Sequence, residues 1–135
     1  MKILIVDDSA IVRERLKDML SEVPQVETIS QAKDSLEALE FLHKLKPDIV
    51  ILDIQMPGGS GIGLLQEMKK GNQPPLVIVL TNQSYPQYQR KCLDNGADFF
   101  FDKSTDFDKV FKVLKKATNP PRGRRVIKRI LNEKK

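Results

Sequence analysis

Residues 2–10 read K-I-L-I-V-D-D-S-A, and they join an uninterrupted apolar run at residues 3–6 to two adjacent carboxylates, Asp7 and Asp8. A short apolar run without alternation predicts a strand that is buried on both faces. The following residues, 9–21, have apolar side chains at helical spacing, and Asp8 or Ser9 is a suitable N-cap for that helix. The stretch therefore predicts a β/α unit whose buried strand ends in two like charges.

The same strand-and-helix pattern recurs four more times along the chain. We predict strands at residues 26–30, 49–52, 76–80 and 99–101, and helices at residues 34–45, 62–70, 85–94 and 106–116. Strict alternation of buried strands with helices is typical of a parallel sheet with helices on both faces, so the predicted fold class is α/β with five β/α units. In the first two helices, the side chains expected to face the core are Ile11, Val12, Leu16, Met19, Leu20, Leu36, Leu39, Leu42 and either Leu45 or Phe41.

The net charge of +5 is concentrated at one end of the chain, whose 135 residues are of single-domain size. Residues 119–135 contain seven basic residues and one acid, so residues 1–118 are close to neutral. No apolar run approaches the ~20 residues of a membrane helix, and Cys92 has no second cysteine with which to form a disulfide. We therefore expect a cytoplasmic domain at residues 1–118 that spans no membrane, followed by a basic tail or linker at residues 119–135.

The role of residues 119–135 is open on sequence grounds. The segment N-P-P-R-G-R-R interrupts the pattern, and V-I-K-R-I-L-N-E-K-K then has its apolar residues on one stripe. An isolated helix of that length is marginal in water, so the segment fits a solvated extension or linker, a docking element, or a nonspecific patch for nucleic acid or anionic membrane. A helix-turn-helix needs more residues, so we expect no sequence-specific DNA binding by this chain alone.

Polar residues collect at the ends of the predicted strands. The first strand ends at Asp7 and Asp8, the third at Asp53, the fourth at Thr81 and the fifth at Lys103. Because open parallel sheets bind ligands beyond the carboxyl ends of their strands, we expect these side chains to lie together. Close carboxylates repel each other unless a cation lies nearby, and an all-oxygen donor set without His or Cys favours Mg²⁺, with Mn²⁺ as an alternative.

The same strand-end residues suit phosphoryl chemistry. A bound Mg²⁺ keeps positions open for phosphate oxygens, and the ammonium of Lys103 and the hydroxyl of Thr81 are the donors that a phosphoryl group needs. A carboxylate can itself attack phosphorus and form an aspartyl phosphate. Asp53 stands alone after the third strand and is our candidate acceptor, whereas the adjacent Asp7 and Asp8 are better placed as metal ligands.

Several pieces of sequence in register resemble one known family. The stretches ILIVDDSA, PDIVILDIQMPGGSGIGLL, VIVLTN and NGADFFFDKS, followed by an acidic start of the last helix, are similar in order and spacing to the receiver domains of bacterial two-component response regulators. The resemblance extends over about residues 2–117. It implies a doubly wound (βα)5 fold of the flavodoxin-like kind with strand order 2-1-3-4-5, and a phospho-accepting signalling domain rather than an enzyme with an external substrate.

The resemblance also implies roles for the residues around Asp53. Asp53 would accept the phosphoryl group from a phosphohistidine of a sensor histidine kinase or a phosphotransfer protein. Asp8 and Asp53 would bind Mg²⁺ directly, with the main-chain carbonyl of Gln55 as the third protein ligand. Asp7 would act mainly through water.

A conformational switch is the third implication of the resemblance. Lys103 would pair with the phosphoryl oxygens, and Thr81 would turn its hydroxyl towards them. Phe100, three residues before Lys103, would swing inward as Thr81 moves. The altered surface of the fourth helix, fifth strand and fifth helix would be recognised by a downstream output protein or domain, or by a second copy in a phosphorylation-dependent homodimer. Ser104 stands where the family usually has Pro, so we expect a trans peptide bond there.

Two other functions stay open as alternatives. A phosphatase of the haloacid-dehalogenase kind also uses an Asp nucleophile and Mg²⁺, but its pattern is D-x-D after the first strand, whereas Asp7 and Asp8 are adjacent. A binding module that takes no phosphate would make the basic tail the working part. For two isolated residues we favour structural explanations, with His43 as a solvated helix residue and Cys92 as a small core residue.

Overall fold

The computed structural model describes residues 1–56 and 61–118, in which five strands and five helices alternate. In chain order they are β1 (Lys2–Val6), α1 (Ala10–Leu20), β2 (Thr28–Ala32), α2 (Ser35–Leu45), β3 (Ile49–Leu52), α3 (Gly61–Met68), β4 (Leu76–Thr81), α4 (Pro86–Asp94), β5 (Phe99–Asp102) and α5 (Phe107–Thr118). The predicted five β/α units are confirmed. The predicted tail at residues 119–135 and part of the glycine-rich loop, residues 57–60, lie outside the described residues.

The five strands form one parallel sheet in the order β2-β1-β3-β4-β5, which confirms the predicted topology. β1 lies between β2 and β3, with Val6 opposite both Ala32 and Leu52. β2 runs two residues later than predicted, because its pairing with β1 places Lys2 opposite Thr28. None of the described helices is both long enough and apolar enough to cross a membrane.

Each face of the sheet has its own hydrophobic core, because alternate strand residues point to opposite faces. One core joins α1 and α5 to Ile3, Ile5, Ile49, Ile51, Leu76, Ile78 and Leu80. The other joins α2, α3 and α4 to Leu4, Val6, Val50, Leu52, Val77 and Val79. Burial on both faces holds the central strands rigidly, so the residues at their carboxyl ends start from fixed positions.

Two helix residues that were predicted to face the core face solvent instead. Ile11 is 82% exposed and Leu36 is 69% exposed. At about 100° per residue, Ile11 lies about 140° around α1 from the buried Leu16, and Leu36 lies about 160° around α2 from the buried Ala38. Both are the second residue of their helix, at the end nearest the carboxyl edge of the sheet.

The N-cap of α1 is Ser9 rather than Asp8. The Ser9 hydroxyl accepts a hydrogen bond from the main-chain N–H of Val12 at 3.3 Å. One orphan donor of the first turn is thereby satisfied by a short polar side chain, as is usual at this position. The carboxylate of Asp8 is therefore not used in capping.

Candidate functional site

Three carboxylates meet at the carboxyl edge of the sheet. Val6 of β1 is opposite Leu52 of β3, so the residues that follow these strands, Asp7 and Asp53, are neighbours across the edge. One carboxylate oxygen from each of Asp7, Asp8 and Asp53 lies within 4.8 Å of the other two. Asp7 and Asp53 are buried, whereas Asp8 is exposed. The structure thus brings the three predicted acids together in a group that is open to solvent on the Asp8 side.

The ammonium of Lys103 lies between the two buried carboxylates. Its Nζ atom is 2.7 Å from Asp7 Oδ2 and 2.7 Å from Asp53 Oδ2. Lys103 directly follows β5, and its main-chain N–H donates to the carbonyl of Thr81 at 3.0 Å, which ties the ends of β5 and β4 together. The ammonium that was predicted to pair with phosphoryl oxygens therefore has two carboxylates as its partners in this structure.

Burial and ion pairing have opposite effects on the pKa values of Asp7 and Lys103. Burial raises the pKa of Asp7 above its ordinary value, although hydrogen bonds from Lys103 and the Ser9 main chain act in the other direction. Burial would lower the pKa of Lys103, but its hydrogen bonds to Asp53 and Asp7 and their charges outweigh burial, so that its pKa is raised. One ammonium does not neutralise three carboxylates, and the edge therefore keeps a negative charge that attracts a further cation.

The chemistry of the donor atoms fits a hard divalent cation. The group consists of carboxylates, and within the described residues it contains neither His nor Cys. Carboxylate oxygens are the ligands that Mg²⁺ and Mn²⁺ prefer, and Mg²⁺ usually keeps several waters beside one or two carboxylates. Asp8 is the exposed member of this group, so its carboxylate is accessible to dissolved cations.

The loop after β3 is tied to the carboxylate of Asp53. The main-chain N–H of Gln55 donates to Asp53 Oδ1 at 2.9 Å, and the Gln55 side chain is exposed. The metal-ligand role of the Gln55 carbonyl stays a prediction. Further along, Gly61 opens α3 against the main chain of Ile54, where a Cβ atom at position 61 would overlap with the carbonyl of Ile54. Close approach of two main chains at this point requires glycine.

A half-buried arginine contact at the corner between β1 and α1 was not predicted from the sequence. Arg13 Nη1 donates to the main-chain carbonyl of Asp7 at 2.7 Å, and Arg13 Nε donates to Gln31 Oε1 at 3.2 Å. The available signal was a basic residue that directly follows the half-buried Val12 and lies one helical turn before the buried Leu16. Such a residue needs a polar partner, but the sequence does not indicate which one.

Thr81 and Phe100, the predicted switch residues, lie on the same face of the sheet. Thr81 is buried, and its hydroxyl accepts the main-chain N–H of Gln83 at 3.2 Å. Phe100 pairs with Val79 and is partly buried on the side of α2, α3 and α4, and alternation places Thr81 on that side too. Their proposed motions stay predictions.

His43 and Cys92 have the surroundings that were predicted for them, solvent for His43 and the core for Cys92. His43 is exposed on α2. Cys92 is fully buried on α4, and burial raises the pKa of its thiol to about 11. Neither residue lies in the acidic group formed by Asp7, Asp8 and Asp53.

The comparisons with known proteins agree on one family. A family model of the response regulator receiver domain matches residues 3–115. An uncharacterized response regulatory protein of Vibrio cholerae is 36% identical over 113 residues, which are 84% of this chain and 46% of that protein. A protein-glutamate methylesterase/protein-glutamine glutaminase of Pyrococcus abyssi is 33% identical over an alignment of 139 positions, gaps included, which covers 96% of this chain and 38% of that protein. The chain thus spans less than half the length of either relative.

A solved structure shows the same architecture. The isolated REC domain of RcsB from Salmonella enterica serovar Typhimurium, determined in the presence of phosphomimetic BeF₃⁻, is 26% identical to this chain and superposes with a TM-score of 0.80. The match covers 91% of this chain and 91% of that one. Nearly the whole of the β/α architecture is therefore shared between the two.

Proposed function

The chain belongs to the family of response regulator receiver domains, and from that premise we propose that Asp53 accepts a phosphoryl group in two-component signal transduction. The donor is a phosphohistidine of a sensor histidine kinase or a phosphotransfer protein, and Mg²⁺ assists the transfer. The product is a signalling state that protein partners recognise, so the domain has no external substrate to turn over. The family match favours this function over a phosphatase of the haloacid-dehalogenase kind.

The position of Asp53 is the observation on which the proposal rests. Asp53 follows β3, which lies between β1 and β4. Asp7 and Asp8 follow β1, and β4 ends at Thr81. The Oδ2 atom of Asp53 is 2.7 Å from the ammonium of Lys103. An oxygen in this position has metal ligands on one side and the donors for a phosphoryl group on the other.

The acidic group has a defined part in the transfer. Asp8 and Asp53 would hold Mg²⁺ directly, the main-chain carbonyl of Gln55 would be a third ligand, and Asp7 would act mainly through water. When bound, Mg²⁺ offsets the negative charge of the phosphoryl oxygens. A carboxylate oxygen of Asp53 attacks phosphorus and forms the new P–O bond, while the P–N bond to the donor imidazole breaks. The imidazole nitrogen keeps the bonding electrons and takes a proton as it leaves.

The residues around the acceptor respond to the new charge. The ammonium of Lys103 donates some of its hydrogen bonds to the phosphoryl oxygens instead of the carboxylates, because the phosphoryl oxygens carry more negative charge. The Thr81 hydroxyl donates to a phosphoryl oxygen and moves away from Gln83. Phe100, on the same face, turns into the space that Thr81 leaves. The resulting change in the surface of α4, β5 and α5 biases which partners bind.

We propose that the partners are proteins and that the chain has two parts. Residues 1–118 form the receiver domain, and residues 119–135 form a basic tail or linker. The 96% coverage in the match to the Pyrococcus abyssi methylesterase includes part of that segment and supports the linker role. The downstream partner is an output domain or protein, and phosphorylation also favours a homodimer. We place the domain in the cytoplasm, where the unpaired Cys92 stays reduced.

Labelling with a small phosphodonor tests the assignment of Asp53. Wild type, Asp53→Asn and the control Asp94→Asn, which changes an exposed carboxylate on α4, are incubated with acetyl phosphate and Mg²⁺. Intact mass then counts the phosphoryl groups. Wild type and Asp94→Asn gain one group, EDTA prevents the gain, and Asp53→Asn gains none. Label on Asp53→Asn at one equivalent and at the wild-type rate would refute the assignment, and repeated turnover of phosphate esters would favour the phosphatase.

A further inference from the structure

The exposed carboxylate of Asp8 depends on the main chain for its direction. In the part of the chain that the structure describes, this carboxylate makes no hydrogen bond or ion pair, whereas the carboxylates of Asp7 and Asp53 both contact Lys103. Its own side-chain contacts therefore do not direct Asp8 towards the other acids. The position and direction of its Cα–Cβ bond depend on the conformation of the peptide that links Asp7 and Asp8.

Three hydrogen bonds hold that peptide and its neighbours at the corner between β1 and α1. The N–H of Asp7 donates to the carbonyl of Ala32 at 3.0 Å, which ends the pairing of β1 with β2. The N–H of Ser9 donates to Asp7 Oδ1 at 2.8 Å. The carbonyl of Asp7 lies beyond the strand pairing and accepts from Arg13 Nη1 at 2.7 Å. The bond from Arg13 is the one of these three that acts directly on the peptide between Asp7 and Asp8.

Arg13 is itself held in a fixed orientation. Its Nε atom donates to Gln31 Oε1 on β2 at 3.2 Å, and the side chain is half-buried. A guanidinium is planar and presents its donors in a rigid fork, so two engaged donors fix both its position and its plane. Arg13 thus joins α1, β1 and β2 at the point where the acidic edge begins.

We propose that Arg13, held by Gln31, is a positioning residue that fixes the Asp7–Asp8 peptide and thereby directs the Asp8 carboxylate at the divalent ion. The inference rests on the proposed function, because Arg13 is assigned to orient Asp8, one of the proposed ligands of Mg²⁺. Arg13 touches no reacting atom and acts through Asp8. Residues that orient metal ligands in this way typically change metal affinity by about 10- to 100-fold when they are removed.

The affinity of the metal-free protein for Mg²⁺ is the direct readout, measured by isothermal titration calorimetry. The variants are Arg13→Met, Arg13→Lys and Gln31→Met. Arg15→Met is the control, since it removes the same charge from the same helix, and its guanidinium lies 3.8 Å from the centre of the Phe107 ring. Arg13→Met raises the Kd for Mg²⁺ by about 10- to 100-fold. Arg13→Lys and Gln31→Met raise it by smaller factors, and Arg15→Met leaves it unchanged.

A second readout separates positioning from a general structural role. The rate of labelling by acetyl phosphate is measured against the concentration of Mg²⁺. In Arg13→Met the half-saturating concentration rises by the same factor as the Kd, while the rate at saturating Mg²⁺ stays within about threefold of wild type, because the reacting atoms are unchanged. A purely structural role would lower the stability of the protein, and it would not raise the half-saturating Mg²⁺ concentration while leaving the rate at saturating Mg²⁺ unchanged.

The outcomes distinguish this inference from the proposed function. Wild-type affinity for Mg²⁺ in folded Arg13→Met would overturn the inference alone. If Arg13→Met fails to fold by circular dichroism, unchanged affinity in both Arg13→Lys and Gln31→Met would overturn it instead. A wild-type chain that binds no Mg²⁺ would contradict the proposed function itself, and the inference with it.

Discussion

Replacing Lys103 with methionine tests the electrostatic balance of the site. Methionine keeps much of the side-chain volume but leaves no ammonium between Asp7 and Asp53. The Nζ atom lies 2.7 Å from an oxygen of each acid, the lysine side chain is 11% exposed, and the acid side chains are 3% and 4% exposed. The substitution therefore leaves two buried carboxylates without the cation that pairs them, and the exposed Asp8 adds a third like charge beside them.

The expected loss follows from this burial. Removing one partner of a buried ion pair leaves an uncompensated charge and costs about 3–5 kcal/mol of unfolding free energy. Lys109→Met is the matched control, because Lys109 pairs with Asp106 at 3.1 Å while its side chain is 61% exposed. A pair exposed in this way is worth about 0–1 kcal/mol. The two variants should therefore differ by at least ~2 kcal/mol when no divalent ion is present.

Addition of Mg²⁺ should reverse part of the loss. At a concentration of about 100 times its Kd, a ligand that binds only the folded state stabilises it by about 2.7 kcal/mol. At a given Mg²⁺ concentration the gain should be larger in Lys103→Met than in wild type, because no ammonium competes for the carboxylates.

Urea unfolding followed by far-UV circular dichroism, in EDTA and in Mg²⁺, measures both effects in a chain that has no tryptophan. Equal losses of unfolding free energy in Lys103→Met and Lys109→Met in EDTA would refute this electrostatic role of Lys103, as would a larger stabilisation of wild type than of Lys103→Met by Mg²⁺.

Two further predictions concern groups away from the acidic edge. Burial raises the pKa of Cys92 from 9.0 to about 11, so the thiol ionises at a lower pH in the unfolded chain than in the folded one. The free energy of unfolding should therefore fall by up to about 3 kcal/mol as the pH rises from about 9 to about 11. Cys92→Ala should lack this slope, and urea titrations at about pH 8 and about pH 10.5 measure it; parallel slopes would contradict the prediction. Gly61→Ala should lower the free energy of unfolding by about 1–3 kcal/mol, because its Cβ would overlap with the main chain of Ile54. Gly71→Ala is the control, since a Cβ atom at position 71 meets open space, and it should change the free energy of unfolding by less than ~1 kcal/mol. Thermal melts separate these two variants, and equal melting temperatures would count against the overlap.

The sheet could be predicted because its central strands are buried on both faces and therefore appear as short, continuous apolar runs. β2 was predicted less accurately, because it is an edge strand with mixed exposure. Its apolar pattern is weak, so its bounds depend on the register with β1, which local sequence does not contain. The exposure of Ile11 and Leu36 has a similar origin, because helical spacing alone does not show which side of a helix meets the sheet.

The candidate site could be located because parallel strands place the residues after their carboxyl ends at one edge. The grouping of Asp7, Asp8 and Asp53 follows from that rule and from the strand order. The contact of Arg13 could not be predicted, because its partner is a main-chain carbonyl whose direction depends on the loop conformation. The pairing of Lys103 with two carboxylates likewise depends on three-dimensional distances across β4.

The central claim is that Asp53 becomes an acyl phosphate, and chemical mapping of the phosphorylated residue tests it most directly. Wild-type protein is treated with acetyl phosphate and Mg²⁺ and then with borohydride, which reduces an aspartyl phosphate to homoserine, and peptide mass spectrometry locates the product. We expect homoserine at position 53, in amounts that match the phosphoryl group counted by intact mass, and none when EDTA replaces Mg²⁺. Homoserine at position 7 or 8 instead, or phosphoryl label without homoserine at position 53, would contradict it.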